Sequence, residues 1–335
     1  MDSLTQALLG ASVGEAILGK KAGNRAMAWG ALGGTIPDLD VLSQNFVEPL
    51  RAIELHRAFS HSIIFCVIAA VIIGLLISKI HSEKFGTAKQ WMWMMFACLF
   101  THVWLDAHTT WGTQVFWPLE YRVAFNNIFI IDPLYTLPFL FFVLLALTKK
   151  RDNPKRTKYN RIGLIVSSIY MLVTIILKGW AFFDIKESLQ KQSISYQELE
   201  TRPTPFNSVL WNATVEQDDA FLIGYYSLFD SHNDIQFMKF DKNHALLGKM
   251  ADEEIVKRLI KISEGKYIIQ NRDGKIYFND LRFGQRGIMS PDKEFVFSYE
   301  LSYDENKNFI ATETPKSFDG AGEAIRELWE RLKGV

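Results

Sequence analysis

Four apolar stretches crowd the first half of the chain, at residues 62–80, 91–106, 128–147 and 162–182. Crossing a bilayer takes about 20 predominantly apolar residues, so these four are the candidate spans. The second is short and carries His102 and Asp106 near its end. Two shorter segments, 4–18 and 26–36, precede them and are rich in Gly and Ala. Gly10 and Gly14 form a small-xxx-small pair of the kind that lets helices approach closely. The two segments read as a packed helical hairpin short of full spans, with two full transmembrane helices as the other reading. Glu15, inside the first, reads as a helix-pairing or interfacial residue. Trp91, Trp93, Trp111 and Trp117 read as interfacial anchors. No basic residue precedes the first apolar run, so a cleavable signal peptide is not expected.

Charge divides the chain in the same way as hydropathy. Residues 1–183 hold 17 Lys and Arg against 11 Asp and Glu, and the remainder holds 20 against 26. The whole is neutral, which argues against an electrostatic nucleic-acid binder. Cys66 and Cys98 both lie in apolar runs, so neither a disulfide framework nor a Cys-type zinc site is expected.

Basic residues cluster at 20–25, at 79–90 and, seven of them, at 149–161. By the positive-inside rule all three segments belong in the cytoplasm. Residues 37–61, 106–127 and everything after Trp180 then fall on the extracytoplasmic side. The expected architecture is a mainly α-helical integral membrane domain, 1–183, followed by an extracytoplasmic soluble α+β domain, 184–335, capping the site. In that tail, 209–215, 221–229 and 294–303 read as strands. Asn271-Arg272-Asp273-Gly274 between two apolar runs marks a hairpin. Segments 253–262 and 321–332 read as amphipathic helices.

The ionisable residues of the first domain collect at its predicted outer ends. His56, His61, His102 and His108 lie there with Asp38, Asp40, Asp106 and Asp132. Ionisable groups at membrane depth are costly and are functional candidates. Pro37 ends the preceding helix, so Asp38 and Asp40 project from a turn or simply cap a helix. His56 and His61 would stand about 140° apart on a regular helix. Both can face one ion only if His56 lies in the approach and His61 on the first turn. Arg57 between them is either an anion clamp or a snorkelling interfacial cation. His102 and Asp106, four apart, share a helix face, as joint ligands or as a structural pair.

All three motifs map to one side of the membrane, which favours a shared metal. A mixed His and carboxylate set suits zinc first, then manganese or iron. The six candidate ligands Asp38, Asp40, His56, His61, His102 and Asp106 exceed one tetrahedral site. Either two ions bind or two of the six stand behind the ligands. Asp38 and Asp106 are then candidate catalytic carboxylates, and Arg57 a candidate stabiliser of transition-state charge.

These motifs resemble the YdjM-type family of membrane-bound, metal-dependent hydrolases, placed under LexA control in some bacteria. The matching pieces are Met1-Asp2-Ser3-Leu4-Thr5, Pro37-Asp38-Leu39-Asp40, His56-Arg57-x-x-Ser60-His61-Ser62, His102-x-x-x-Asp106, Gly112-Thr113-Gln114 and 127–133. Segments 205–211 and 280–284 are similar to the tail of longer members. The family usually has His where this chain has Gln6, so either Gln6 stands behind the ligands or the site holds one ion fewer. The resemblance implies a hydrolase of the bacterial inner membrane. Metal and Arg57 at headgroup depth point to a lipid or lipid-linked phosphoester. The competing expectation is a non-catalytic metal-binding membrane protein, a transporter or assembly factor.

Overall fold

The computed structural model describes residues 1–232, 234–287, 294–315 and 320–335. It divides into two compact units, Met1–Ile176 with Pro205–Asn207 and Leu177–Thr204 with Ser208–Val335.

The first unit is helical. It contains α1 (Ser3–Ala22), α2 (Asn24–Gly33), α3 (Pro49–Leu55), α4 (Ile63–Ile80), α5 (Ala88–Asp106), α6 (Pro133–Leu147) and the first part of α7 (Pro154–Lys191). Short 3-10 turns at Pro37–Asn45 and Phe59–His61 lead into α3 and α4. Side chains mark the helix starts: Asp2 caps α1, Ser62 caps α4, a Thr87–Gln90 capping box opens α5, and Asp132 with Pro133 opens α6.

Glycine sets how closely α1 and α2 pack. A Cβ on Gly10 would stand 2.1 Å from the Gly30 carbonyl oxygen, and one on Gly14 would stand 2.3 Å from that of Ala26. The backbones touch, as the small-xxx-small spacing anticipates. A buried ion pair then ties α1 to α7. Arg156 Nε and Nη2 donate to the two Glu15 carboxylate oxygens at 2.8 and 2.6 Å. Asn160 and Ser12 add a second polar contact one turn away. Glu15 is therefore a helix-pairing residue.

Among the described residues two helices, α4 and α7, are long and apolar enough to cross a membrane, with mean hydropathies of 2.8 and 2.0. The expected span at 128–147 is shorter. Its helix starts at Pro133, because the buried Asp132 carboxylate accepts from the Leu134 amide at 3.0 Å and caps α6 there. The basic segment 149–161 is not one loop: α7 begins at Pro154, and Arg156 is buried in the pair with Glu15. Trp91 is not an interfacial anchor either. It is fully buried, with its ring 5.7 Å from that of His81. Outward-facing Ile68, Ile72 and Leu76 on α4, Leu137 and Phe141 on α6, and Ile169, Leu172 and Ile176 on α7 leave a broad apolar surface on this unit.

The second unit is built from two four-stranded antiparallel sheets. The first is β1 (Glu198–Pro203), β2 (Leu210–Glu216), β3 (Ala220–Ser227) and β4 (Phe237–Asp241); the second is β5 (Tyr267–Arg272), β6 (Lys275–Gln285), β7 (Phe295–Tyr303) and β8 (Phe309–Glu313). The sheets dominate this unit, and among the described residues α8 (Glu254–Ile262) and α9 (Ala321–Leu332) are the α-helices beside them, at the two segments where amphipathic helices are expected. Phe221, Ile223, Ile268 and Phe295 share one core. The β5–β6 turn has Asp273 at φ 52° and Gly274 at φ 82°, the pair of positive angles that a two-residue hairpin requires. Arg282 is buried against Asp280 at 2.8 Å and Glu264 at 3.1 Å, a structural role for the 280–284 segment.

Replacing Gly10 by Val should break the α1–α2 contact. Overpacking of a close contact costs about 1–3 kcal/mol or more, so the protein in detergent should melt several degrees lower. Gly179→Ala meets nothing within 4 Å and should melt as the parent does. An unchanged melting temperature in Gly10→Val would contradict the contact.

Candidate metal centre

Four elements converge at one end of the helical unit. The turn after α2 supplies Asp38, the 3-10 turn before α4 supplies His61, the last turn of α5 supplies His102 and Asp106, and the first turns of α1 supply Gln6. One ligand atom from each of Asp38, His61, His102 and Asp106 lies within 4.8 Å of all the others. His61, His102 and Asp106 side chains are fully buried, and Asp38 retains 22% exposure.

The two imidazoles are oriented by their outer nitrogens. His102 Nδ1 donates to the Gly34 carbonyl at 2.6 Å. His61 Nδ1 faces Ser60 Oγ at 2.9 Å and Asp40 Oδ2 at 3.3 Å. Both Nε2 atoms therefore point inward, and they stand 3.1 Å apart. Asp38 Oδ1 lies 3.5 Å from each, and Asp106 Oδ2 lies 3.4 Å from His61 Nε2 and 3.7 Å from His102 Nε2. Two lone pairs and two carboxylates aimed at one buried point repel one another unless a cation or a proton sits among them. This donor set, two imidazoles and two carboxylates with a committed second layer, fits one divalent metal ion.

Asp106 is the most heavily supported member. Gln6 Nε2 donates to its Oδ1 at 2.7 Å, and the Met1 backbone nitrogen also pairs with Oδ1. Among the described residues its Oδ2 accepts no well-aligned hydrogen bond, although Arg57 Nη2 stands 2.8 Å away. Gln6 thus stands behind a ligand. Sequence reasoning flagged that position only through the family His, since a Gln in an apolar helix carries no metal signature of its own.

Asp40 and His56 lie outside the four-residue cluster. Asp40 Oδ2 accepts from the Arg57 amide and the Ser60 hydroxyl, each at 2.8 Å, and its Oδ1 meets His56 Nδ1 at 2.9 Å. His56 is half-buried against Trp111, ring centroids 5.6 Å apart. Their spacing explains this placement. Arg57 takes a left-handed conformation, φ 56°, between His56 and His61, so both rings meet Asp40 with centroids 6.3 Å apart, and His61 reaches the cluster from the far side of that carboxylate. The Arg57 side chain is buried, and its Nη1 donates to Thr109 Oγ1 at 2.7 Å. It is an inward-facing ion-pair partner rather than a snorkelling cation. His108 and Asp132 belong elsewhere: His108 Nδ1 meets Asn127 at 2.8 Å, and Asp132 caps α6 and accepts from Tyr170 at 2.9 Å.

The opposite end of the unit gathers the basic turns. Arg151 Nη1 donates to the Lys21 carbonyl at 3.2 Å, Lys21 Nζ reaches Gln90 at 3.1 Å, and Arg156 Nη1 reaches Asn24 at 2.6 Å. Site and positive charge therefore occupy the two ends of one helical bundle.

Long apolar helices and a buried His–Asp cluster of metal-ligand type mark the helical unit. Residues 1–181 match the family described as YdjM inner membrane protein, and the chain belongs to that family. No curated protein and no solved structure matches the chain.

Electrostatics set a pH prediction. Burial opposes charge on His61, but hydrogen bonds to Asp106, Asp38 and Asp40 outweigh it and raise its pKa from 6.5 to about 9. Asp38 and Asp40 stay ionised well below the usual carboxylate range. Burial works against this, and their imidazole partners prevail: His102 and His61 for Asp38, His56 and His61 for Asp40. A raised imidazolium pKa stabilises the fold fully below pH 6.5 and is lost as pH rises through about 9. Metal-free protein should therefore lose melting temperature across that window. Metal-loaded protein should hold steady, because the ion takes the proton's place. A metal-free melting temperature independent of pH from 6 to 10 would contradict the site's electrostatics.

Proposed function

We propose that this protein is a metal-dependent hydrolase of the inner membrane, with its site at the outer face and a lipid or lipid-linked phosphoester as substrate. The observation that carries the reading is the pair of inward Nε2 atoms, 3.1 Å apart, closed in by Asp38 and Asp106. His61, His102, Asp38 and Asp106 would hold the ion, with zinc the best match to two nitrogens and two oxygens and manganese or iron next. A divalent ion there supplies Lewis acidity toward an ester or phosphoryl oxygen.

The chain's own groups prepare the rest. Gly34 and Asp40 fix both imidazoles with Nε2 inward, so no reorientation accompanies the reaction. Gln6 and Arg57 hold Asp106 in one rotamer. Arg57 Nε is buried and donates to no atom among the described residues, which leaves a charged donor for a substrate oxygen beside the cluster. Asp38, the one partly exposed member, marks the side from which the cluster is reached. Leu39, Val41, Leu42 and Phe46 follow it and are all exposed. An apolar rim beside a polar centre suits an amphiphile whose chains stay in lipid.

Orientation rests on charge. With the basic turns at the cytoplasmic face, the cluster lies at the outer face, and the second unit follows α7 out of the membrane. A reporter active only in the cytoplasm, fused after Val335, should be silent; a strong signal would contradict this orientation.

One observation favours the alternative of a non-catalytic metal-binding membrane protein, a transporter or assembly factor. Three of the four cluster side chains are fully buried, as in a structural site. Arg57→Lys separates the two readings. It keeps the charge but loses the fork and Nε–H. We expect normal metal content and turnover of a lipid phosphoester reduced by about 10²-fold, the scale of losing one preorganised donor. Turnover equal to the parent would remove Arg57 from the reaction. A metal-loaded parent inactive on a broad phosphoester panel would favour the non-catalytic reading.

A further inference from the structure

The basic end of the helical unit holds a cavity of about 260 Å³, lined by Gly23, Arg25, Lys149, Lys150, Arg151 and Arg156 among others. Three chain segments meet there: the α1–α2 turn, the α6–α7 turn and the start of α7. Arg156 forms a neutral floor, since Glu15 takes its Nε and Nη2, and its Nη1 donates to the Lys149 carbonyl at 2.9 Å and to Asn24 at 2.6 Å. Those bonds fix both turns. Arg151 Nη1 bonds the Lys21 carbonyl and so joins the rims.

The rim cations are not matched by carboxylates. Among the described residues Arg25, Lys149 and Lys150 have no ion-pair partner, and Arg151 has only Asp152 at 3.5 Å, itself 83% exposed. Arg25 stacks on Phe85 at 4.3 Å, a contact that leaves its charge uncompensated. The positive-inside rule asks only for basic residues on one side, scattered anywhere on the loops. It does not call for a concave site with a fixed floor, where like charges crowd together at an electrostatic cost. Such a cavity lowers its energy by taking an anion. With water-sized groups of about 30 Å³ as the measure, it admits a phosphate group with a short polar extension.

We propose that this cavity is a binding site for a phosphate group, held by Arg25, Lys149, Lys150 and Arg151 over the Arg156–Glu15 floor. The phosphate comes either from an anionic phospholipid headgroup or from a soluble phosphate. The site stands at the end of the bundle away from Asp38, His61, His102 and Asp106, and it does not depend on the hydrolase reading.

The test uses the full chain in a mild non-ionic detergent. Native mass spectrometry counts retained phosphatidylglycerol against phosphatidylcholine, and calorimetry measures inorganic phosphate. Lys150→Gln with Arg151→Gln removes two rim cations. Lys155→Gln with Lys158→Gln removes the same charge from the same end of the unit, outside the cavity. We expect the rim variant to bind at least about tenfold more weakly, and the control to stay within about twofold of the parent. Selective retention of phosphatidylglycerol identifies a headgroup as the source, and phosphate binding without lipid retention identifies a soluble anion. Should the rim variant melt lower than the parent, Lys150→Glu alone replaces it, since Lys150 anchors neither turn. Equal weakening in rim and control variants would overturn the proposal. So would a parent that binds neither phosphate nor phosphatidylglycerol in preference to phosphatidylcholine.

Discussion

Everything at the metal end of the helical unit depends on the backbone contact between α1 and α2. Gly10, Gly14, Gly30 and Gly34 leave no room for a Cβ between the two helices. That contact places the Gly34 carbonyl on His102 Nδ1 and brings Gln6 to Asp106. One hydrogen bond selects the His102 tautomer and the other fixes the Asp106 rotamer. Small residues chosen for close packing thus become the outer layer of a site built from residues 38, 61, 102 and 106.

Charge inside the unit follows one rule at both ends. Glu15 meets Arg156 in a two-point pair, and Asp106 meets Arg57. A buried ion pair adds little net stability over an apolar pair, yet losing one partner costs about 3–5 kcal/mol. The Glu15 pair is saturated and ties α1 to α7. At Asp106 the balance is incomplete: among the described residues Oδ2 has no well-aligned donor, and the neighbouring His61 and His102 Nε2 atoms face each other. That incompleteness separates the candidate site from a purely structural pair.

Local signals predict what is locally determined. The Gly10–Gly14 spacing, the Asp273-Gly274 turn and the amphipathic pattern of α9 all correspond to what the structure contains, because each depends on nearby residues. The short strands β1, β4 and β8 carried no signal strong enough to mark them, since their pattern is completed only by their neighbours in the sheets. The helix expected at 128–147 is shorter, Pro133–Leu147, because hydropathy does not register that Asp132 and Pro133 start a helix. Within the site, His61, His102, Asp38 and Asp106 were legible as a His and Asp set concentrated at one end. Their sorting from His56 and Asp40 was not. It turns on the positive φ of Arg57 and on the four groups around the Asp40 carboxylate, which no spacing rule encodes.

The central claim is that two imidazoles and two carboxylates hold one metal ion. X-ray absorption at the edge of whatever metal copurifies tests it most directly. The account predicts about one ion per chain, with two imidazole nitrogens and carboxylate oxygens in its shell, and loss of the imidazole scattering in the His61→Ala, His102→Ala double variant. Stoichiometric metal with an all-oxygen shell, or a shell unchanged in the double variant, would contradict it.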